Sequence, residues 1–209
     1  MGLVFCDFDG TLTVRDTIWP FASFLCHETA RPAAVRASLL LCLLELKLRL
    51  ISNHLFKERF LRLLVRDESE KSIAEFVGRF HKTRLESILN FAMVSALAEH
   101  AAAGDDVYLV SSNFDFFLKP LERRWNLKGI FATQAEAVDG RFTGRIRGRA
   151  CHGKEKLGRV VASLGERRTR EAVAYGDSRS DSNLLHFVKV GHWVGSRTGV
   201  NVARSLRPA

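Results

Sequence analysis

The chain has 209 residues, a length that suits one globular domain or one core domain with a sizeable insertion. Hydrophobic residues make up 46% of it and charged residues 26%, a balance that can bury a core and that excludes global disorder. The formal net charge is +9, so the chain's positive field favours anionic partners. Charge alone does not choose among phosphorylated metabolites, acidic lipid, nucleic acid and a solvated basic face.

The cysteines indicate a reducing compartment. The chain has 4 of them, without a C-x-x-C pair and mostly in apolar surroundings. This usage predicts reduced structural thiols of a cytosolic protein rather than a disulfide or zinc framework. The N-terminal apolar stretch is interrupted by Asp7 and lacks a basic leader, so we expect no secretory signal and a cytoplasmic location.

The first predicted element is a strand. Leu3 to Asp7 is an apolar run of strand length, too short for a buried helix. From about Val14 to His100 the pattern is helical, with helices predicted from Pro32, over Asn53 to Val65 and after Ser69. We interpret residues 14–85 as a helical cap domain and residues 1–13 and 86–209 as the core.

Strand-length runs return after the helical interval and alternate with helical spacing. Strands are predicted at 106–110, 129–133, 171–175 and 191–194, and helices at 114–125, 153–164 and 180–188. This alternation predicts an α/β fold with a parallel sheet covered on both faces. Residues 135–148 differ, because Asp139-Gly140 stands between short alternating segments and predicts a β-hairpin projecting from the core.

The leucine-rich part of the cap is too short to span a membrane. Its longest charge-free stretch is the eight residues between Arg36 and Glu45, whereas a spanning helix needs about 20 apolar residues. Two interpretations remain for this segment: a cap helix packed on its neighbours, or an amphipathic helix lying at a membrane surface.

Two carboxylates end the first predicted strand. Ligands of open α/β sheets bind beyond the carboxyl ends of the strands, which is where Asp7 and Asp9 stand. Asp7 is expected to be ionised near neutral pH and could act as a nucleophile or a metal ligand. Gly10 allows the backbone to turn tightly after them. Alone, two exposed acids at a strand end would be unremarkable surface chemistry.

Other polar groups converge on the same edge. The strand ending at Val110 is followed by Ser111-Ser112-Asn113, and the strand ending at Tyr175 is followed by GDSRSD, which contains Asp177 and Asp181. Lys154 opens the helix before that last strand. Each of these groups has an ordinary explanation by itself, such as helix capping or a solvated lysine, but the arrival of four acids, hydroxyls and an ammonium at one edge from separate segments indicates a functional site.

These segments, in this order, resemble the motifs of the haloacid dehalogenase (HAD) superfamily of phosphatases. DFDGT at residues 7–11 is similar to the first motif, which implies Asp7 as nucleophile and Asp9 as general acid and base. The resemblance also implies a Rossmann-like core and phosphate binding by Ser111, with Ser112, and by Lys154.

The implied metal site uses the remaining acids. The resemblance implies Mg²⁺ bound by Asp7, Asp177 and the backbone carbonyl of Asp9, with Asp181 as a weaker ligand. The implied reaction passes through an aspartyl-phosphate intermediate on Asp7.

The cap and hairpin resemble the phosphoserine phosphatase-like subclass, subfamily IB. That resemblance implies Asp16 and Arg59 as substrate-specificity residues, although Asp16 is shorter than the usual glutamate. Ser112-Asn113 replaces the usual glycine pair, and GDSRSD departs from GDGxND. The leucine-rich cap also resembles the related phosphatidylglycerophosphatase C-type branch.

Three functions therefore stay open. The first is a Mg²⁺-dependent phosphatase of a small phosphorylated metabolite, and the second is the same chemistry on a lipid head group with peripheral contact to an acidic membrane. The third is a non-catalytic basic binding protein. Nucleic acid is not expected, because the basic run from Arg141 to Lys156 lacks the interleaved aromatic residues of a single-strand binder. The sequence indicates no particular oligomeric state.

Overall fold

The computed structural model describes residues 2–195 and 204–206. Residue 1 and the segments 196–203 and 207–209, which belong to the predicted core ranges, lie outside the described residues. The strands are Leu3–Cys6 (β1), Asp106–Phe114 (β2), Gly129–Thr133 (β3), Ala135–Val138 (β4), Arg141–Ile146 (β5), Val173–Gly176 (β6), Val190–Trp193 (β7) and Arg204–Leu206 (β8).

The main sheet confirms the predicted α/β fold. Its strand order is β3-β2-β1-β6-β7-β8, and every pair in it is parallel except β7 with β8. β1 is apolar at all its positions and fully buried, as expected for a strand covered on both faces and paired on both sides. Cys6, the last residue of β1, is level with Leu109 of β2 and Tyr175 of β6.

The helices supply the covering layers and the inserted segment. They are Ile18–Glu28 (α1), Ala33–Lys47 (α2), Asn53–Leu64 (α3), Glu70–Phe80 (α4), Phe91–Ala102 (α5), Asp115–Arg124 (α6), Lys154–Leu164 (α7), Glu166–Arg170 (α8) and Ser182–Phe187 (α9). The regular elements within residues 14–85 are all helical. The hydroxyls of Ser52 and Ser69 accept hydrogen bonds from the first turns of α3 and α4, which explains why these helices begin there.

Aromatic packing joins these helices to the core. The ring of Phe21 in α1 lies 4.9 Å from that of Phe117 in α6 and 5.4 Å from that of Phe80 in α4, each pair edge to face. Aromatic pairs favour this geometry, and burying such rings is a large part of core stability. The division into a core and a cap at residues 13 and 85 stays a prediction.

β2 differs from the sequence prediction in extent, whereas the β4–β5 hairpin agrees with it. β2 continues to Phe114 instead of stopping at Val110, because Phe114 is buried and pairs with Thr133 beyond a register shift. The β4–β5 hairpin forms as predicted, with Asp139 and Gly140 at positive φ. It packs beside the end of α3, where it exchanges backbone hydrogen bonds between Phe142 and residues 67 and 68.

All four cysteine side chains are free thiols in the interior. Among the helices of the described residues, none combines the length and apolarity needed to cross a bilayer.

Candidate active site

Asp7 stands directly after β1 at the carboxyl edge of the sheet. Its backbone N–H donates to the Tyr175 carbonyl at 2.9 Å, which continues the pairing with β6, and its side chain is buried. The register places Asp7 level with Val110 of β2 and Gly176 of β6. Ser111 and Asp177 therefore follow one residue later on the neighbouring strands, as the sequence predicts.

Three acids converge here. Asp7, Asp177 and Asp181 each offer a carboxylate oxygen, and these oxygens lie within 4.8 Å of one another. Burial, with the nearby Asp181 carboxylate, raises the pKa of Asp177 to about 6. Such crowding of buried negative charge is costly unless a cation offsets it. Carboxylate oxygens are the ligands that Mg²⁺ prefers, so this trio fits the predicted metal.

Gly10 makes this approach possible. It has φ +82°, and a Cβ atom added there would lie 2.1 Å from a carboxylate oxygen of Asp177. A side chain at this position would therefore clash with Asp177 as well as strain the backbone. The glycine of DFDGT is required by the site and by the turn alike.

The structure corrects the predicted lysine. Lys154 is exposed at the start of α7, whereas Lys156 is 1% exposed, with its ammonium 2.8 Å from Asp7 Oδ1 and 2.5 Å from Asp181 Oδ1. Two residues turn a helix by about 200°, so these lysines stand on opposite faces. Lys156 and Val160 are four residues apart and share the buried face of α7. This spacing is the sequence signal that could have identified Lys156 as the inward-facing lysine.

Lys156 and its carboxylates stabilise one another's charged forms. Burial alone would lower the pKa of Lys156, but Asp7 and Asp181 raise it further, so it lies above the usual range for lysine. Burial raises the pKa of Asp7, and the Lys156 ammonium opposes that rise. The ammonium thus limits the effect of burial without cancelling it, and the pKa of Asp7 still rises to about 8.

Asp9 is held by residues that the sequence analysis did not assign. Its Oδ1 accepts from the Thr17 backbone N–H at 2.8 Å and from the Thr17 hydroxyl at 2.6 Å, and its Oδ2 accepts from Asn113 Nδ2 at 2.9 Å. Burial, with the Asp16 carboxylate, raises the pKa of Asp9 to about 6, although the Thr17 hydrogen bonds oppose the rise. A carboxyl group that titrates near neutral pH suits proton transfer. The Asp9 side chain is outside the convergent trio, so only its carbonyl stays a predicted metal ligand.

The predicted phosphate-binding serines occupy different settings. Ser111 is fully buried, and its Oγ accepts from the Asn113 backbone N–H at 3.1 Å, which leaves its own hydroxyl proton to donate. Ser112 is half-buried, and its carbonyl accepts from Thr133. Their phosphate contacts stay predictions.

The two predicted substrate-specificity residues, Asp16 and Arg59, have different surroundings in the structure. Asp16 lies near Asp9, whose pKa it influences, and its carboxylate accepts from the Ile18 N–H at 2.8 Å. The structure corrects the prediction that Arg59 is a substrate-specificity residue, because its guanidinium forms an ion pair with Glu45 of α2, within the cap. It is committed to that ion pair rather than to the site carboxylates.

A different cap cation is close to the site. Lys57 of α3 is 4% exposed, and its ammonium lies 4.9 Å from the ring centroid of Phe114, next to the Asn113 that holds Asp9. Sequence reasoning missed Lys57, since a lysine on a helix is normally a solvated residue.

Comparison with known proteins places this geometry in a family. The profile of haloacid dehalogenase-like hydrolases matches residues 4–186. Phosphoserine phosphatase SerB1 of Mycobacterium tuberculosis is 34% identical over 111 residues, which cover 52% of this chain and 34% of that protein. Histidinol-phosphatase of Neisseria meningitidis is 29% identical over 126 residues, 57% of each chain.

A solved structure extends the likeness over almost the whole fold. A Bordetella pertussis protein of unknown function superposes with a TM-score of 0.82 at 27% identity, covering 92% of this chain and 88% of the other. The matched segment spans only about a third of the first curated relatives, SerB1 among them. Because the family profile covers most of the chain, including the motifs and the strands after which they stand, the chain belongs to the haloacid dehalogenase-like hydrolases.

Proposed function

We propose that the protein is a Mg²⁺-dependent phosphomonoesterase that acts on a small, phosphoserine-like metabolite through an aspartyl-phosphate on Asp7. The observation that carries the proposal is the convergence of the Asp7, Asp177 and Asp181 carboxylates at the carboxyl edge of the sheet, where the Lys156 ammonium pairs with Asp7 and Asp181. The family to which the chain belongs supports hydrolytic chemistry at this place.

In the first step, a carboxylate oxygen of Asp7 bonds to phosphorus and the bond from phosphorus to the leaving oxygen breaks. Asp9, held by Thr17 and Asn113, gives its proton to that oxygen. In the second step, Asp9 takes a proton from the water that attacks phosphorus, which releases phosphate and restores Asp7. The Asp7–phosphorus bond formed in the first step breaks in the second, and Asp9 regains the proton that it gave, so both acids return to their starting forms after the two steps.

The repulsion between a phosphate ester and Asp7 would be offset by the Lys156 ammonium and by a Mg²⁺ ion held by the acids. Bound by Asp7, Asp177 and Asp181, with the Asp9 carbonyl, Mg²⁺ would supply the positive charge that lets two anions meet. Lys156 adds a fixed ammonium, and Ser111, with Ser112, would donate to phosphoryl oxygens.

Phosphate release from p-nitrophenyl phosphate tests the chemistry. It should require Mg²⁺, stop with a chelator and disappear in Asp7→Asn, while acid quenching should trap a phosphoryl group on the unaltered protein. Asp139→Asn is the matched control, because this exposed hairpin residue tolerates asparagine at positive φ. Undiminished turnover in Asp7→Asn would rule out the proposed nucleophile.

The names of the two relatives support a small phosphorylated substrate, since one is called a phosphoserine phosphatase and the other a histidinol-phosphatase. Phosphoserine and histidinol phosphate differ in the charge of their leaving groups. A panel of phosphoserine, histidinol phosphate, sugar phosphates and nucleotides should show preference for small amino-acid-like esters in a cytoplasmic enzyme. Equal turnover of all would contradict that selectivity.

A lipid head-group phosphatase is the second candidate, favoured by one surface. α2 and the turn after it expose large apolar side chains by 50–71%: Leu40, Leu41, Leu44, Leu48 and Leu50. Exposed basic residues flank them: Arg36, Lys47 and Arg49. An apolar stripe with a basic border is typical of helices that lie on acidic membranes.

Vesicle co-sedimentation at low salt decides this candidate. Vesicles of phosphatidylglycerol, and not of phosphatidylcholine, should bind the protein, and changing Leu41, Leu44 and Leu48 to Ser should abolish binding. Phosphatidylglycerophosphate in the same vesicles should then release phosphate. Absence of binding to the acidic vesicles would exclude the candidate, and turnover of any ester would exclude a purely non-catalytic binding protein.

A further inference from the structure

A cleft of about 610 Å³ lies between α1 and the segment that follows α4. We call it the linker cleft, because it lies where the predicted cap, residues 14–85, begins and ends. None of the proposed catalytic or metal-binding residues lines it. Small-molecule sites in proteins have volumes of about 300 to 1,000 Å³, so the linker cleft is large enough for a ligand of its own. Residues from both ends of the predicted cap border it: Arg15, Trp19, Phe24, Phe80, Arg84 and Ile88.

The linker cleft contains two arginines without an acidic partner. Arg15 and Arg84 are exposed, and no carboxylate oxygen of the described residues lies within 4.0 Å of either guanidinium. The acid that lines the cleft, Glu28, is paired with Arg79 at 2.6 Å. Guanidinium groups bind carboxylates and phosphates through two parallel hydrogen bonds, so this cleft favours an anionic ligand.

Aromatic side chains supply the apolar part of the linker cleft. Trp19 and Phe24 are half-buried, and the Phe24 ring packs edge to face on that of Phe80 with 5.5 Å between the ring centroids. A half-buried indole keeps part of its surface available, on which a planar ring can pack. A ligand that combines an aromatic ring with an anionic group therefore fits both parts of the cleft.

Backbone pairing holds the two walls of the linker cleft together. The Val14 N–H donates to the Ile88 carbonyl at 2.9 Å, and Thr13 forms an antiparallel bridge with Leu89. The walls are thus connected before any ligand arrives. A ligand gains affinity from such preorganisation, because binding spends less free energy on ordering the site.

We propose that the linker cleft is a binding site for a small aromatic anion, separate from the proposed active site. The ring of the ligand packs on Trp19, and its carboxylate or phosphate binds Arg15 and Arg84. A neutral aromatic compound lacks the contact with the arginines, and an aliphatic anion lacks the contact with the indole. The proposal goes beyond the proposed phosphatase function and does not depend on it.

Calorimetric titration with four matched compounds tests this ligand class. Naphthoate and naphthylphosphonate carry a ring and an anion, naphthamide lacks the charge, and decahydronaphthoate lacks the aromatic ring. The tighter-binding of the two aromatic anions identifies the preferred anionic group, and it should bind at least about tenfold more tightly than naphthamide or decahydronaphthoate. Absence of binding of both aromatic anions, or equal affinity for naphthamide or decahydronaphthoate, would overturn the proposal.

Variants locate the bound aromatic anion. Arg15→Gln, Arg84→Gln and Trp19→Ala should each weaken its binding about tenfold, whereas Trp19→Phe, which keeps an aromatic ring, should lose less. Lys82→Gln is the matched control, because Lys82 is an exposed cation of the same segment that lines a different groove. It should leave the affinity within about twofold. Equal weakening by Lys82→Gln would indicate general attraction to a basic surface and refute the site.

Lys156→Met separates the linker cleft from the proposed active site. Lys156 contacts Asp7 and does not line the cleft, so its loss should leave the affinity for the aromatic anion within about twofold. Ser111→Ala, a milder change at the same edge of the sheet, provides the same comparison if Lys156→Met does not fold. Weakening as large as that of Arg15→Gln would place the ligand among the catalytic residues and overturn the proposal. Binding is measured without turnover, so the result stands even if the proposed phosphatase function fails its own test.

Discussion

The ammonium of Lys156 lies 2.8 Å from a carboxylate oxygen of Asp7, and both side chains are less than a tenth exposed. This pair links the end of the central strand β1 to the helix α7, across most of the length of the sequence. It brings a fixed positive charge to the carboxylate that we propose as nucleophile. Its removal should affect chemistry far more than the removal of the nearby exposed lysine.

Lys156→Met should lower kcat on p-nitrophenyl phosphate by about 100- to 1000-fold, the scale seen when one stabilising donor is removed from an active site. Lys154→Met is the matched control on the same helix and should keep kcat within about threefold. Steady-state kinetics at saturating Mg²⁺ measure both. The reverse ranking of the two variants would restore Lys154 as the functional cation.

Asn113→Ala should impair proton transfer, because Asn113 donates to both Asp9 and the Thr17 hydroxyl. We expect a loss of about tenfold in kcat/KM for alkyl phosphates and a smaller loss for p-nitrophenyl phosphate, whose leaving oxygen needs little protonation. The same substrate series should show the same trend, more strongly, in Asp9→Asn. A loss independent of the leaving group would argue against the assignment of Asp9.

Gly10→Ala should weaken metal binding. The added Cβ would meet Asp177 at 2.1 Å, so Asp177 must move, and the Mg²⁺ concentration for half-maximal activity should rise at least about tenfold. Gly140→Ala is the control, since Gly140 also has positive φ but has open space around its Cβ position. Both variants should lose about 1 kcal/mol of folding stability from backbone strain. An equal Mg²⁺ requirement in both would show that the clash is harmless.

His81 should make folding stability depend on pH. Its ring is buried edge-on to Phe117, its Nε2 lacks a hydrogen-bond partner among the described residues, and burial lowers its pKa from 6.5 to about 4. The unfolded chain therefore binds an extra proton between these pH values. The stability is fully present above pH 6.5 and falls as the pH drops towards 4, by on the order of 3 kcal/mol.

Urea unfolding at several pH values measures this effect as a difference between two proteins. His81→Leu should have a shallower loss of unfolding free energy between pH 6.5 and 4 than the unaltered protein. Carboxyl groups that titrate in both proteins contribute equally to the pH dependence of the unfolding free energy, so their contribution cancels in the difference. Parallel pH curves would show that His81 does not contribute.

The sequence by itself determined the order of strands and helices and the edge of the sheet where the chemistry lies. Apolar runs of strand length, separated by helical spacing, leave few alternatives to a parallel sheet. Asp7 ends one such run, and Asp177 and Asp181 lie in the GDSRSD segment that follows another. Motif order then predicted the family without any knowledge of distances. These features are local patterns along the chain, so they can be recognised before folding brings the segments together.

Only the tertiary structure decided which of several similar side chains reach the site. Lys156 rather than Lys154, and Lys57 rather than Arg59, turn inward, because two residues rotate a helix by more than half a turn and the neighbouring elements fix which face is buried. Asn113 reaches Asp9 because β2 continues past Val110 to bury Phe114. A one-dimensional pattern records residue types and spacing, whereas the face that each residue presents depends on packing between distant segments.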